Sequence, residues 1–322
     1  MRRLLAVLAS GMYALAPTPA PAQGYPSKAV KIVVGTSPGG SPDVFARLIA
    51  QKMSESWGPV VVENRIGANG NIAAEMVSKS VPDGYTAYIC DSAIWAINPH
   101  LYAKVPYRPL EDFAGISTIS TLPTFLTIHP SVPATSMKEL VALAQARPAT
   151  LVFGSAGNGS VSHLAIELLK ATVGGLNVLH VPYRGNGPAV LDLIAGEVHA
   201  LVATLPASQP HIRSGRLRAL AVAGLKRAGP LPEVPTMEQA GFPGYEAAAW
   251  TAVLAPAGTS YDVVTRLNLA IVKLAQSREI KDRFASLGAE VIGDTPDQFT
   301  AYLRGEIAKW AKVVKATGAK VD

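Results

Sequence analysis

The chain has 322 residues, 29 lysines and arginines against 23 acidic residues, and a single cysteine, Cys90. The basic residues are scattered, which allows a bulk attraction for anions but leaves no nucleic-acid footprint. One cysteine excludes an internal disulfide and a thiol-rich metal site.

Arg2 and Arg3 precede an apolar run over residues 4–15, and Ala20-Pro21-Ala22 follows as an A-x-A cleavage site. This pattern predicts a signal peptide over residues 1–22, cleaved near Ala22, and an exported chain. The run is short for a bilayer span, and no cysteine stands just past the cleavage site to carry a lipid. Removing Arg2 and Arg3 lowers the formal charge from +6 to +4 and leaves about 300 residues, enough for two domains with separate cores. An exported chain without a disulfide framework fits the bacterial periplasm.

Residues 32–34 read as a buried strand ended by Gly35. Ser37-Pro38-Gly39-Gly40 is a turn, Ser41 or Asp43 an N-cap, and Val44, Phe45, Leu48 and Ile49 the start of a helical stripe. A glycine turn leading from a strand into a helix aims N–H groups and the helix dipole at one point, a seat for an anion such as a carboxylate. Residues 35–39 also match G-x-S-x-G, the nucleophile elbow of hydrolases, with Ser37 as nucleophile. Pro38 follows that serine and has no N–H for an oxyanion hole, which argues against this remote alternative.

Further along, residues 60–63 read as a strand, 64–70 as a turn-rich loop, 72–80 as a helix and 85–90 as a strand. Such alternation predicts a parallel sheet with helices on both faces. Residues 91–98 are expected to form a polar loop with Ser92 as its best hydroxyl, and Cys90 a buried, inert thiol. A second series follows: strands at 115–120, 126–128, 151–153, 178–181, 198–203 and 217–222, and helices at 137–146, 160–173 and 187–194. Ser136 and Glu139 form a capping-box pattern. A short helix from 234, a strand at 250–254 and helices at 260–275, 278–287 and 296–316 complete the chain. The last helix carries Phe299, Leu303, Ile307, Trp310 and Val314 on one face.

The two series suggest two lobes joined by two crossing segments near residues 115–123 and 217–225: lobe 1 from 23–120 and 223–322, lobe 2 from 121–222. Ligands favour the cleft of such a hinge. Gly154-Ser155-Ala156-Gly157-Asn158-Gly159-Ser160 repeats the strand-to-helix glycine turn in the second lobe. It lacks the lysine of a P-loop and the glycine order of a dinucleotide site, so no cofactor is implied. His163, one turn into the helix, faces either ligand or core, and nothing keeps metal-ligand spacing with it. Tyr183, Arg184 and Thr204 stand at the same strand ends.

The segments SPGGSPDVFAR (37–47), ENRIGANGNIAAEMVSKSVPDGYT (63–86), AINPHLY (96–102), GSAGNGSVSHLA (154–165), HVPYRGNGPAVLDLIAGEV (180–198), SGRLRALAV (214–222), LPEVPTMEQAGFPGYE (231–246) and LAPAGT (254–259) resemble, in order, the solute-binding proteins of tripartite tricarboxylate transporters, the Bug or TctC-like family. The resemblance implies an α/β, two-lobe periplasmic binding protein of Venus-flytrap, type II-like form with two hinge-crossing segments. It would have no catalytic activity, and would deliver a dicarboxylate, tricarboxylate or aromatic acid to a two-component permease, working as a monomer. A sensor of the same fold that signals to a membrane kinase is the alternative. Carried over by position, the ligand-binding set is Ser37, Gly39, Gly40, Ser41, Asp43, Ser92, Asn158, Ser160, Ser162 and His163, with Tyr183, Arg184, Asn186 and Thr204 as a weaker set. Asp43 is expected to order its loop, or to meet an amine on the ligand. Pro42 and the run Asp91-Ser92-Ala93-Ile94-Trp95 depart from the family pattern. The run is bulkier and more acidic than the usual small polar residues, and Trp95 is expected to narrow the pocket or stack on an aromatic ligand.

Overall fold

The computed structural model describes residues 25–36, 38–39 and 41–321. The expected signal peptide, Ser37 and Gly40 lie outside the described residues.

The first lobe is built on a six-stranded sheet. Strand β1 (Val30–Val34) leads through the first glycine turn into α1 (Ser41–Trp57), β2 (Val60–Asn64), α2 (Asn71–Ser78) and β3 (Thr86–Asp91). Both β2 and β3 pair in parallel with β1. The apolar run of β1 is buried because sheet neighbours and helices cover it, and Val33 and Val34 are fully buried. After β3 the expected polar loop is instead a π-helical turn, Ala93–Ile97, running into α3 (Asn98–Leu101). The turn is apolar and buried: Trp95 sits edge-on to Tyr88 at 5.1 Å and to Phe113 at 4.9 Å. Trp95 therefore packs the core rather than the pocket.

Strand β4 (Phe113–Leu122) crosses through Pro123 directly into β5 (Thr124–Ile128) of the second sheet. The second lobe continues with α4 (Met137–Ala146), β6 (Val152–Ser155), α5 (Val161–Thr172), β7 (Leu179–Pro182), α6 (Asn186–Ala195), β8 (Ala200–Thr204), α7 (Leu205–Arg213) and β9 (Arg218–Val222). The Ser136 hydroxyl accepts the Glu139 N–H, but the Glu139 carboxylate reaches back to Thr135 rather than to Ser136, so the capping box closes one residue early.

The chain then stays on the second lobe longer than expected. Ala228, Leu231 and Val234 pack with Phe125, Leu205 and Val222. The short helix expected from 234 is absent; Thr236 forms an isolated bridge to Val222, and Gly241 (φ +97°) turns the chain before Pro243 can extend a helix. The chain enters the first sheet only at β10 (Ala249–Pro256), so the second crossing falls at residues 247–249 instead of 217–225. Helices α8 (Tyr261–Ala275) and α9 (Arg278–Ser286), strand β11 (Glu290–Val291) and α10 (Pro296–Thr317) complete the first lobe.

The strand orders are β11-β4-β10-β3-β1-β2 and β7-β6-β8-β5-β9. Each sheet is mixed rather than parallel. The βαβ units supply parallel pairs, whereas the strands flanking the crossings, β10 with β3 and β4, and β5 with β8 and β9, run antiparallel. The two lobes also do not keep separate cores. One apolar cluster runs from Val33, Tyr88, Trp250 and Trp310 of the first lobe to Leu126, Phe153 and Leu164 of the second, where α10 packs against α5. No helix among the described residues is long and apolar enough to cross a membrane.

Candidate functional site

A cavity of about 610 Å³ opens between the two sheets, at the carboxyl ends of β1, β3, β6 and β8. That is the crevice where open α/β sheets take their ligands, and the volume suits a small molecule.

The first wall is the turn after β1. At Gly35 any side chain would collide with the Tyr88 hydroxyl and the Cys90 Sγ, so only glycine lets the strand end this close to β3. Gly39 adopts φ +83°, the left-handed region that glycine tolerates. Its N–H donates to Asp43 Oδ2 at 2.9 Å. The buried Asp43 carboxylate also accepts from Arg47 Nε at 3.0 Å and Asn64 Nδ2 at 2.8 Å. Burial pushes this carboxyl up, but its Arg47, Gly39 and Asn64 hydrogen bonds outweigh that and hold it below its ordinary value.

The second wall is the loop at residues 67–70, where Gly67, Ala68, Asn69 and Gly70 all have positive φ. For Ala68 and Asn69 this is strained backbone, of the kind that persists only when surrounding bonds over-determine it. Those bonds are present: Asn69 Nδ2 donates to Asn98 Oδ1 at 3.0 Å, and Asn98 Nδ2 donates to Asn69 O at 3.1 Å and Asn71 Oδ1 at 2.7 Å. Tyr107 completes the set by donating to Asn71 Oδ1 at 2.8 Å.

The opposite wall belongs to the second lobe. The Ser160 hydroxyl caps α5 by accepting the His163 N–H, and donates to Gly157 O at 2.7 Å. Ser162 Oγ accepts the Ala156 N–H at 2.8 Å. His163 Nδ1 accepts the Gly159 N–H at 3.2 Å, and its ring stacks on His180 at 4.4 Å. Burial first, and the neighbouring positive charge of Lys170 second, push the His163 imidazole down to about 4. Burial likewise drives His180 to about 4, with His163 and Lys170 adding to it. The wall ends at Asn186, whose Nδ2 donates to Thr204 Oγ1 at 3.0 Å.

Five helices begin at this cavity. Its lining includes Ser41 of α1, Gly70 before α2, Ser160 and Val161 at α5, Gly185 and Asn186 at α6, and Thr204 before α7. Each N-terminus contributes a partial positive charge and N–H groups without intrahelical partners. No lysine, arginine or histidine is among the described lining residues, and Asp91 is their sole ionisable side chain. Thr36 Oγ1 and Asn186 Oδ1 are buried there without a hydrogen-bond partner. The arrangement can hold an anion through backbone dipoles and hydroxyls. Among the described residues, no group of three or more histidine, cysteine or acidic side chains could hold a metal.

Of the residues singled out in the sequence, Gly39, Ser41, Ser160, Ser162, Asn186 and Thr204 line the cavity. Six others stand off it. Asp43 orders the first turn from behind, and His163 supports the second from behind. Ser92 is buried beneath β10, with its Oγ 3.5 Å from the Trp250 N–H. Asn158 and Arg184 are exposed, and the Tyr183 hydroxyl donates to Asp192 Oδ2 at 2.7 Å. Sequence reasoning missed Thr36, Asn69, Asp91, Thr124 and Thr251 in the wall. Thr36 and Asp91 were within reach as the residues just past β1 and at the end of β3. Thr124 and Thr251 had no local signal, because they reach the cavity only through the crossing strands.

A family profile described as the tripartite tricarboxylate transporter family receptor, TctC, matches residues 45–319. The chain belongs to the TctC family. Protein BugT of Bordetella pertussis is 40% identical over 326 residues, covering 100% of this chain and 99% of that protein. Two solved structures of Rhodopseudomonas palustris proteins are also similar. One, with adipate, is 40% identical with a TM-score of 0.82, covering 91% of this chain and 98% of its own. The other, MatC with bound malate, is 31% identical with a TM-score of 0.79, covering 90% of this chain and 100% of its own. TctC proteins are periplasmic substrate-binding proteins, not enzymes, and the Ser37 hydrolase reading falls with that assignment.

Proposed function

We propose that this TctC protein captures a small carboxylate in the interlobe cavity and delivers it to the membrane subunits of a tripartite tricarboxylate transporter. The observation that carries the reading is the convergence of five helix N-termini on a cavity without a basic side chain. Such a site neutralises an anion by oriented dipoles and partial charges rather than by an ion pair. The adipate and malate complexes of the two R. palustris relatives support the same ligand class. The seats stand on both lobes, which suits a ligand gripped from two sides.

Thermal unfolding of the mature protein with adipate, malate, citrate and benzoate tests this. A ligand that binds only the folded state raises the midpoint by mass action. We expect a concentration-dependent rise with at least one acid and none with the corresponding alcohols. A folded protein, freed of co-purified ligand by unfolding and refolding, that responds to no carboxylate overturns the reading.

A further inference from the structure

Asp91 is the one charged side chain among the described residues of the cavity wall. It ends β3, paired across the sheet with Thr251 of β10, which also lines the cavity. Its Oδ1 accepts the Ala93 N–H at 2.9 Å; Oδ2 has no hydrogen-bond partner and the carboxylate no ion pair among the described residues. The titratable groups behind it on the same strand, Cys90 and Tyr88, are pushed up by burial and stay neutral. Strands β1 and β3 are parallel neighbours, with Val34 opposite Ile89, and Thr36 just past the end of β1 lines the same cavity as Asp91 at the end of β3. An acid seated at that turn would bring its carboxylate against that of Asp91, and like charges in a half-buried cavity repel. The described lining holds no cationic side chain, only the partial charges of the helix N-termini, so an ammonium group on the ligand is the full positive charge that would meet Asp91.

We propose that Asp91 is a specificity-determining residue that selects a carboxylate also bearing an ammonium group, an amino acid-like zwitterion rather than a plain diacid. The inference rests on the carboxylate reading above. The ligand carboxylate takes the helix N-termini, and its ammonium donates to Asp91 Oδ2 and the Thr251 hydroxyl. Burial pushes the Asp91 carboxyl up, and a cation beside it favours the charged carboxylate.

Calorimetric titration at pH 7.5 with matched probes tests this: succinate against aspartate, adipate against 2-aminoadipate, and 1,6-diaminohexane as an amine without a carboxylate. We expect at least one amino-bearing acid to bind the wild type about tenfold or more tighter than its plain partner, the size of one charge-assisted hydrogen bond. Asp91→Asn keeps the acceptor for the Ala93 N–H and should remove or reverse that preference with an unchanged unfolding midpoint of the free protein. Equal or tighter binding of the plain diacids by the wild type overturns the Asp91 inference while leaving the carboxylate reading in place; this comparison does not depend on the variant folding. Binding of the diamine alone keeps Asp91 as a cation site and overturns the carboxylate reading. Silence of all five probes on a folded protein overturns the Asp91 inference, and silence that extends to malate, citrate and benzoate overturns the carboxylate reading as well.

Discussion

Gly39 and Asp43 form one device. The glycine takes a positive φ and its N–H donates to the Asp43 carboxylate, which also accepts from Arg47 and Asn64. The Gly39 N–H is thus engaged in holding the turn that forms the first wall. Proline at this position can adopt neither the φ nor the hydrogen bond. We expect Gly39→Pro to weaken ligand binding at least about tenfold by releasing the turn. Asp43→Ala should weaken it comparably, although Asp43 does not line the cavity, and should cost about 1–3 kcal/mol of stability through the partners it strands. Undiminished affinity in a folded Asp43→Ala protein would show that the turn stands without it. Asp91 is the contrasting case, a carboxylate in the cavity wall with one hydrogen-bond partner among the described residues.

At the scale of elements, helix starts follow local chemistry closely. Ser136, Ser160, Ser260, Ser277 and Thr295 each accept the N–H three residues on, so α4, α5, α8, α9 and α10 begin where a hydroxyl stands before an apolar stripe. The start of α5 is also tied to the stacked pair His163 and His180. Both are pushed down to about 4 in the folded protein, below the ordinary value of about 6.5 in an unfolded chain. Between those values the unfolded chain binds more protons, so stability rises with pH across the window and falls as the solution is acidified from about 6.5 to about 4. Below about 4 both states are protonated and this contribution changes no further. Melting temperatures at pH 7, 5.5 and 4.5 should fall in that order. His163→Asn with His180→Gln, which keeps an acceptor near each ring nitrogen used, should flatten the decline; an undiminished decline in that variant assigns it to other groups.

Across the whole molecule, the two crossings and an apolar seam hold the lobes together. Thr124 Oγ1 donates to Ala247 O at 2.7 Å, Ala223 N to Thr124 O at 2.8 Å and Ala247 N to Ala223 O at 2.9 Å, so the crossings are bonded to each other at the cavity floor. On the far side Trp310, Val313 and Val314 of α10 share a core with Leu164 and Ala165 of α5. A large apolar interface couples domains that would otherwise move and unfold independently. We therefore expect calorimetry to record one cooperative unfolding transition, with and without ligand, shifted upward as a unit by binding. Two resolved transitions would mean that the lobes are separate folding units.

The sequence by itself determined the order and kind of nearly all the elements, the family, and both glycine turns, because apolar periodicity, hydroxyl caps and glycine conformations act within a few residues. It misread the segment after β3 as a polar loop, since Asp91 and Ser92 open a stretch whose Trp95 is packed among Tyr88, Tyr107 and Phe113. The helix expected from 234 failed for a related reason: the bridge to Val222 is a long-range pairing that outcompetes a weak local start. Only the tertiary structure decided which residues face the cavity. Thr124 and Thr251 arrive on crossing strands, while Ser92 and His163 turn into the core, because the face a side chain presents depends on which sheet or helix is laid against it. The mixed sheets, the crossing at residues 247–249 and the core shared by α5 and α10 come from the same source: contacts between segments far apart in the chain, which no local pattern encodes.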